Sequence, residues 1–190
     1  MQLLRNCLMA LSFAIACEIC LAEARNISWS NLQPDSPALR EKLKSLTQEE
    51  RVQLMRAVNQ LKGLKSSSTE TNLQDTLARQ VLDFEKLRAS KLMTELDGTE
   101  VRIDGYLLPL QQKGELVTEF LLVPVVGACI HVPPPPPNQM ILVSFPAGFP
   151  ANGQFSPVTI EGPLRAKALQ TNLSLVDGAA DIDVGYSVMA

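Results

Sequence analysis

The chain has 190 residues, enough for one domain with an additional segment, and 46% of them are apolar, which is typical of a globular protein with a core. The formal net charge is −3, and the nine aromatic residues do not alternate with a basic stripe. Clustered positive charge is what nucleic acids and anionic membrane surfaces recognise. The sequence therefore predicts no nucleic-acid partner and no direct attraction to an anionic membrane.

The first 24 residues have the pattern of a secretory signal peptide. Arg5 supplies the positive charge, Leu8 to Cys17 form an apolar stretch too short to span a bilayer, and Ala22-Glu23-Ala24 fits a cleavage site. We therefore predict an exported, periplasmic protein whose mature chain begins at Arg25.

Two alternatives to this cleavage stay open. The apolar stretch is also compatible with a buried N-terminal helix. Lipoprotein processing at Cys17 is the second alternative, because Ala14-Ile15-Ala16-Cys17 loosely resembles a lipobox, although leucine is missing at the third position before the cysteine. The protein is expected at a membrane only if Cys17 is lipidated.

Charge and proline are unevenly distributed along the mature chain. Residues 25–104 hold 25 charged residues and two prolines, whereas residues 105–190 hold nine charged residues and 11 prolines. This shift predicts a change of architecture near 97–104. We accordingly predict a helical arm at 25–97 and a β-barrel domain at 98–190.

The arm carries helix start and stop signals. Ser36 followed by Pro37 is typical of a helix start, and Thr47 with Glu50 forms a capping box. Gly63 is expected to end that second helix, and a linker follows at 66–69.

A third helix is predicted after a second capping box at Thr71 and Gln74. It carries an amphipathic stripe of apolar residues at spacings of four and three. The stripe consists of Leu73, Leu77, Val81, Phe84 and Leu87.

The periodicity falls to two after residue 98, which indicates strands. We predict five short strands: Val101–Tyr106, Glu119–Val123, Met140–Phe145, Val158–Gly162 and Val184–Met189. Glycines inside two of them favour a small closed barrel, because glycine permits a tight bend. The predicted fold class is α+β, with the helical arm followed by a small OB-like β-barrel, and a β-sandwich fragment is the alternative.

Cys129 is the only cysteine after the leader, and His131 is the only histidine of the chain. An internal disulfide is therefore excluded for the mature protein. Side chains two residues apart on an extended segment point the same way, and cysteine sulfur and histidine nitrogen both suit zinc and copper. We treat the pair as a candidate soft-metal site. Cu(I) is the metal that conflicts least with a site of only two known ligands, because it accepts few ligands.

Two residues do not complete a structural zinc site, which needs four ligands. Met140, Glu119 or a second chain would have to supply the others. The structural alternative is that Cys129 packs in the core and His131 makes one hydrogen bond. A thiol-dependent enzyme is not favoured, because Cα atoms two apart on a strand are roughly 7 Å from each other and no third orienting group is evident.

Five prolines, Pro133, Pro134, Pro135, Pro136 and Pro137, follow this pair. They must form an extended polyproline rod of about 15 Å, at about 3.1 Å per residue. The rod is a candidate interaction surface for an aromatic-lined groove on a partner, or else a stiff loop that covers the open end of the barrel. Asn138 and Gln139 are included in the candidate surface, although their amides are expected to bind loop backbone.

Three further residues have simpler interpretations. Trp29 is predicted to anchor the mature N-terminus to the core. Asp181 and Asp183 alternate on one extended face and are predicted to be solvated.

Several stretches resemble an exported bacterial family called domain of unknown function 3299. They are Gly-Tyr-Leu-Leu-Pro-Leu (105–110), Glu-Phe-Leu-Leu-Val-Pro (119–124) and Gly-Ala-Cys-Ile-His-Val-Pro-Pro-Pro-Pro-Pro-Asn-Gln (127–139), with weaker similarity at 28–32 and 158–164. The resemblance implies a periplasmic or lipid-anchored protein that accompanies an ABC-type export system tied to metal supply, with Cys129 and His131 in the family motif. Val125 departs from the pattern, because a larger or aromatic residue is expected there.

Together these features predict an exported, non-enzymatic accessory protein of the envelope. Its candidate soft-metal site, for copper or zinc, is Cys129 with His131, and its expected partner is an envelope protein or a transporter component. The competing hypothesis is a protein-interaction module that uses the rod, with Cys129 and His131 structural.

Overall fold

The structure is a computed structural model that describes residues 23–63, 73–127, 134–151, 153–175 and 178–190. The predicted signal peptide, the 66–69 linker and Thr71 of the second capping box lie outside these ranges, apart from the last two leader residues. None of the helices in the described part of the chain combines the length and apolar character needed to cross a bilayer.

Three α-helices form the arm: α1 (Pro37–Lys44), α2 (Gln48–Gly63) and α3 (Leu73–Ser90). The predicted starts of the first two are confirmed. The Ser36 hydroxyl accepts the Leu39 N–H at 3.4 Å, and the Glu50 carboxylate accepts the Thr47 N–H at 2.8 Å. The hydrogen bonds from the Thr47 N–H and hydroxyl hold the pKa of Glu50 below its usual value. Gly63 ends α2 as predicted.

There are six strands: a short one near the N-terminus and five that follow the predicted change of secondary structure. They are β1 (Arg25–Asn26), β2 (Glu100–Lys113), β3 (Leu116–Val123), β4 (Ile141–Pro150), β5 (Ser156–Leu175) and β6 (Gly178–Met189). Each predicted strand coincides with part of one of the last five, and the α+β class is confirmed. The prediction of short strands is wrong for β2, β5 and β6, which have 14, 20 and 12 residues.

The five long strands pair in a ring within the described residues. Their order is β2-β3-β4-β6-β5, and β5 also pairs with β2. The β4–β6 ladder is parallel, and the other four ladders of the ring are antiparallel. β1 adds a short parallel pairing to the start of β2.

Gly162 lies where β5 leaves β2 and joins β6. Residues up to Pro163 pair with β2, and residues from Leu164 pair with β6. A Cβ atom on Gly162 would lie 2.7 Å from the carbonyl oxygen of Met189. Only glycine therefore allows the two strands to approach so closely at this point.

The buried apolar residues form two clusters in the sheet and one in the arm. The first core contains 15 buried residues, centred on side chains such as Leu107, Phe120 and Tyr186. The second core has seven, among them Leu121, Met140 and Val184. Within α1, α2 and α3, Leu54, Leu77 and Ala78 are the buried side chains of the described residues, whereas Ile27, Leu32 and Leu96 of the same region belong to the first core.

Candidate functional site

The chain leaves the sheet after β3 and passes through the predicted metal motif. Cys129 and His131, the candidate metal ligands, lie outside the described residues, as does Pro133 of the candidate interaction surface. Val125, which departs from the family pattern, is 51% exposed. The described chain resumes at Pro134.

The rod lines a groove of about 830 Å³, which we call the proline groove. One wall is Pro134, Pro136 and Pro137, and the other is the end of α3 with Leu92 beyond it. The floor is formed by residues 168–170 of β5 and 183–185 of β6. A volume in this range is typical of protein binding sites.

The rod has one face on the protein and one face toward solvent. Pro134 and Pro136 are exposed, and Pro135 and Pro137 are half-buried. The prediction that all five prolines are extended is wrong for Pro137, which begins a 3₁₀ helix at Pro137–Gln139 that turns the chain into β4. The exposed prolines are therefore presented by a segment whose C-terminal end is fixed to the sheet.

Asn138 fixes that end, and its side chain is fully buried. Its Nδ2 donates to the carbonyl oxygens of Arg88 at 2.6 Å and Lys91 at 2.9 Å. The last carbonyls of a helix have no partner inside the helix, so Asn138 satisfies the end of α3. Gln33 Nε2 donates to Asn138 Oδ1 at 3.4 Å.

Gln139 connects the same turn to the N-terminal segment. Its Nε2 donates to the carbonyl oxygen of Trp29 at 2.9 Å. Trp29 in turn packs against the first core and donates its indole N–H to the Asp104 carbonyl oxygen at 2.8 Å, as the predicted anchor requires. The prediction that these amides bind backbone is confirmed, but their partners include α3 and the N-terminal segment rather than the loop alone.

Tyr186 completes this connection, and we call Gln33, Asn138, Gln139 and Tyr186 the amide joint. The Tyr186 hydroxyl accepts the Met93 N–H at 2.7 Å and donates to the Leu32 carbonyl oxygen at 2.9 Å. Burial, with a smaller contribution from the charge of Glu95, raises the pKa of Tyr186 against the opposing effect of the Met93 N–H. The joint therefore ties the N-terminal segment, the end of α3 and the rod to the sheet.

Gly185 lets the rod approach the floor of the groove. A Cβ atom at this position would lie 2.8 Å from the Pro137 carbonyl oxygen and 2.5 Å from Leu92 Cδ2. β5 is irregular opposite this glycine, where the register shifts between Ala166 and Leu169. The contact between rod and strand thus depends on the absence of a side chain.

The floor carries one charged side chain, Asp183, whose Oδ1 accepts from Gln170 Nε2 at 3.0 Å. Asp181 is bound in the same way by Asn172 at 3.1 Å. Both carboxylates are exposed, which confirms that they are solvated. Each has an amide neighbour on β5.

The other candidate metal ligands are not gathered at one place. Met140 is 1% exposed and belongs to the second core at the base of the loop. Glu119 pairs with Ser144 along the β3–β4 ladder, and its carboxylate accepts from Gln111 at 3.0 Å. Among the described residues, no group of three or more His, Cys, Asp or Glu side chains could hold a metal ion.

Comparison with known proteins places the whole site inside one family. The family model described as "Protein of unknown function (DUF3299)" matches residues 29–190. A DUF3299 family protein from Pseudomonas aeruginosa PAO1, whose crystal structure is known, has 28% sequence identity to this chain. The match covers 88% of this chain and 92% of that chain, and the TM-score is 0.48. No curated protein matches the chain.

Proposed function

The chain belongs to the DUF3299 family, and from that premise we propose that it is an exported, non-enzymatic accessory of the bacterial envelope that holds a partner protein at the proline groove. The partner is an envelope protein or a component of an ABC-type transport system. The observation that carries this proposal is the amide joint, which fixes the rod while Pro134 and Pro136 stay exposed.

Rigidity is what makes the rod suitable for binding. Proline has a restricted backbone and no N–H, so the rod loses little entropy on binding and presents rings and carbonyls. Such segments dock on aromatic-lined surfaces. The open groove beside the rod leaves room for a partner side chain between Leu92 and Gln170.

Site-specific photo-crosslinking in cells tests this proposal. A photoreactive residue at Gln170, on the groove floor, is expected to give a discrete adduct with an envelope protein. The double variant Pro134→Ala/Pro136→Ala should weaken the adduct about tenfold, which corresponds to about 1.4 kcal/mol of lost binding.

Two controls accompany that experiment. Pro146→Ala changes an exposed proline on β4, away from the groove, and should leave the adduct intact. The same photoreactive residue at Lys113, on the β2–β3 hairpin, should not give it. An adduct whose yield is unchanged by the rod substitutions, or the absence of an adduct at Gln170, would contradict the proposal.

A soft-metal site at Cys129 and His131 is the second candidate function. It is supported by position, because the segment that carries both residues joins the groove directly at Pro134 and Met140 lies at the base of the loop. Copper(I) or zinc is the proposed metal, with cysteine sulfur and imidazole nitrogen as ligands. Titration of the purified protein should give roughly one Cu(I) per chain, lost in both Cys129→Ser and His131→Ala. Retention of the metal by Cys129→Ser would exclude this site.

The ring of five long strands supports a finer description of the sheet as an OB-like barrel. The OB-fold is a five-stranded and partly open barrel. Here β5 pairs with both β2 and β6, and the β4–β6 ladder covers Ile141–Ser144 of β4. An experimental structure with separate two-layer sheets and no β2–β5 ladder would instead favour the β-sandwich.

Export is part of the same proposal. Cleavage after Ala24 predicts a periplasmic protein whose first residue is Arg25, which intact mass and N-terminal sequencing measure. Lipidation at Cys17 would instead give a membrane-bound form that Cys17→Ser abolishes. A full-length chain retained in the cytoplasm would contradict export.

A further inference from the structure

A second cavity lies away from the proline groove, and we call it the phenylalanine pocket. Its volume is about 420 Å³. Six apolar side chains supply most of its wall: Phe120, Val143, Phe145, Phe149, Val158 and Ile160. Along β6 it is separated from the groove by Tyr186–Met189, because Gly185 lines the groove and Ala190 lines the pocket.

The pocket lies between β4 and the first half of β5. β6 last pairs with β4 at Met189 and Ser144, and the Ala190 N–H donates to the Ser144 carbonyl oxygen at 3.1 Å. β4 continues to Pro150, whereas the first half of β5 pairs only with β2 within the described residues. The space between these two strand segments opens into the first core, to which Phe120, Val143 and Ile160 belong.

Three phenylalanine rings hold this space open. The Phe120 and Phe149 rings are 5.8 Å apart at 72°, and the Phe145 and Phe149 rings are 5.8 Å apart at 78°. Edge-to-face contacts of this kind fix the rings against one another. The three rings therefore stand at steep angles to one another and line the pocket without filling it.

The polar groups of the lining are already engaged. Glu161 is the only charged side chain among the lining residues, and its Oε2 lies 3.2 Å from Arg102 Nη1. The Thr159 hydroxyl donates to Asp104 Oδ1 at 2.6 Å. A ligand inside would meet mainly apolar atoms, and the lining residues include no cation, so an anionic group would lose its hydration without gaining a partner.

We propose that the phenylalanine pocket binds a small uncharged apolar molecule with an aromatic body. An apolar cavity of about 150 Å³ holds benzene, and this pocket is larger than that by a factor of nearly three. Two to three rings fit the volume, and the edge-to-face phenylalanines offer them the geometry that aromatic pairs prefer.

Two fluorescent probes that share one skeleton test the proposal on the full chain. N-phenyl-1-naphthylamine is uncharged, and 1-anilinonaphthalene-8-sulfonate adds an anionic sulfonate to the same rings. The uncharged probe should bind saturably at one site per chain and at least about tenfold more tightly than the anionic one, a difference of about 1.4 kcal/mol.

Variants then locate the binding site. Val158→Trp fills the pocket and should weaken the uncharged probe about tenfold or more, whereas Val126→Trp changes a 61% exposed valine outside the pocket and should not. If Val158→Trp does not fold, Phe145→Ala provides an independent variant. It removes a half-buried ring from the pocket wall and should change the affinity for the uncharged probe. Equal affinity for both probes, non-saturable binding, or binding unchanged by both pocket variants would overturn the proposal.

Discussion

The helical arm and the sheet bury very different amounts of apolar side chain. Three residues are buried in the arm cluster, whereas the first and second cores bury 15 and seven among the described residues. Met55 on α2 is 66% exposed and Leu87 on α3 is 45% exposed, although both lie in amphipathic helices. The sheet is therefore stabilised by its own burial, while the arm depends on α2–α3 packing and on the amide joint.

The largest expected difference between the two regions comes from matched leucine deletions. Leu107→Ala, in the first core, should lower the free energy of unfolding by about 4 kcal/mol, because a fully buried site leaves a cavity that cannot relax. Leu54→Ala, in the arm, should cost about 2 kcal/mol, because the neighbouring helices can close around it. Urea unfolding followed by circular dichroism measures both, and equal losses would contradict the comparison.

Asn138→Ala tests the connection between the two regions. The substitution leaves the carbonyl oxygens of Arg88 and Lys91 without the donor that Asn138 supplies. Because the Asn138 side chain is buried, the loss should lower the free energy of unfolding by about 2–3 kcal/mol. Trypsin should then cleave faster near the end of α3. Asn172→Ala removes an exposed amide and should change stability by less than about 0.5 kcal/mol. An Asn138 variant as protease-resistant as the parent would show that the joint is not needed.

Gly185→Ala tests how closely the rod approaches the sheet. Its Cβ would meet the Pro137 carbonyl, which belongs to fixed backbone, so we expect a loss of about 2 kcal/mol from overpacking. Gly63→Ala is the control in the arm, since no atom lies within 4 Å of its added Cβ. Thermal unfolding compares the two, and a neutral Gly185→Ala would mean that the rod can move away without loss.

Tyr186→Phe has the smallest effect at neutral pH and a distinct pH dependence. Losing the two hydrogen bonds of the hydroxyl should cost about 1–2 kcal/mol. Because burial raises the pKa of Tyr186, its contribution is fully present below pH about 10 and is lost as pH rises through the folded-state pKa. Stability measured from pH 8 to about 11.5 should fall less steeply in Tyr186→Phe, and parallel curves would contradict this role.

Local signals allowed much of the fold to be predicted from the sequence. Ser36 and the Thr47–Glu50 capping box act within one turn, and both are observed. The alternation of apolar residues predicted the buried parts of five strands. The outer half of β5 was not predicted, although Leu169 and Leu173 alternate there with polar residues and Leu173 is buried in the second core. Thr171 lies between them, which leaves the apolar pattern too sparse to distinguish a strand from a loop.

The site depends on long-range contacts that a single sequence does not specify. Asn138 was expected to donate to backbone, but its acceptors, Arg88 and Lys91, lie on a helix about 50 residues earlier. The phenylalanine pocket is lined mainly from β3, β4 and β5, and no local pattern encodes how these strands come together. Cys129 and His131 lie outside the described residues, so their shared metal site stays a prediction.

The amide joint holds the rod as a preformed surface, and amide hydrogen exchange at Gln139 measures this directly. The Gln139 N–H donates to the Pro136 carbonyl oxygen at 2.8 Å inside the turn that ends the rod. We expect slow exchange in the parent protein and exchange faster by about tenfold or more in Asn138→Ala. Exchange in the parent at the rate of an unstructured peptide would contradict a fixed rod.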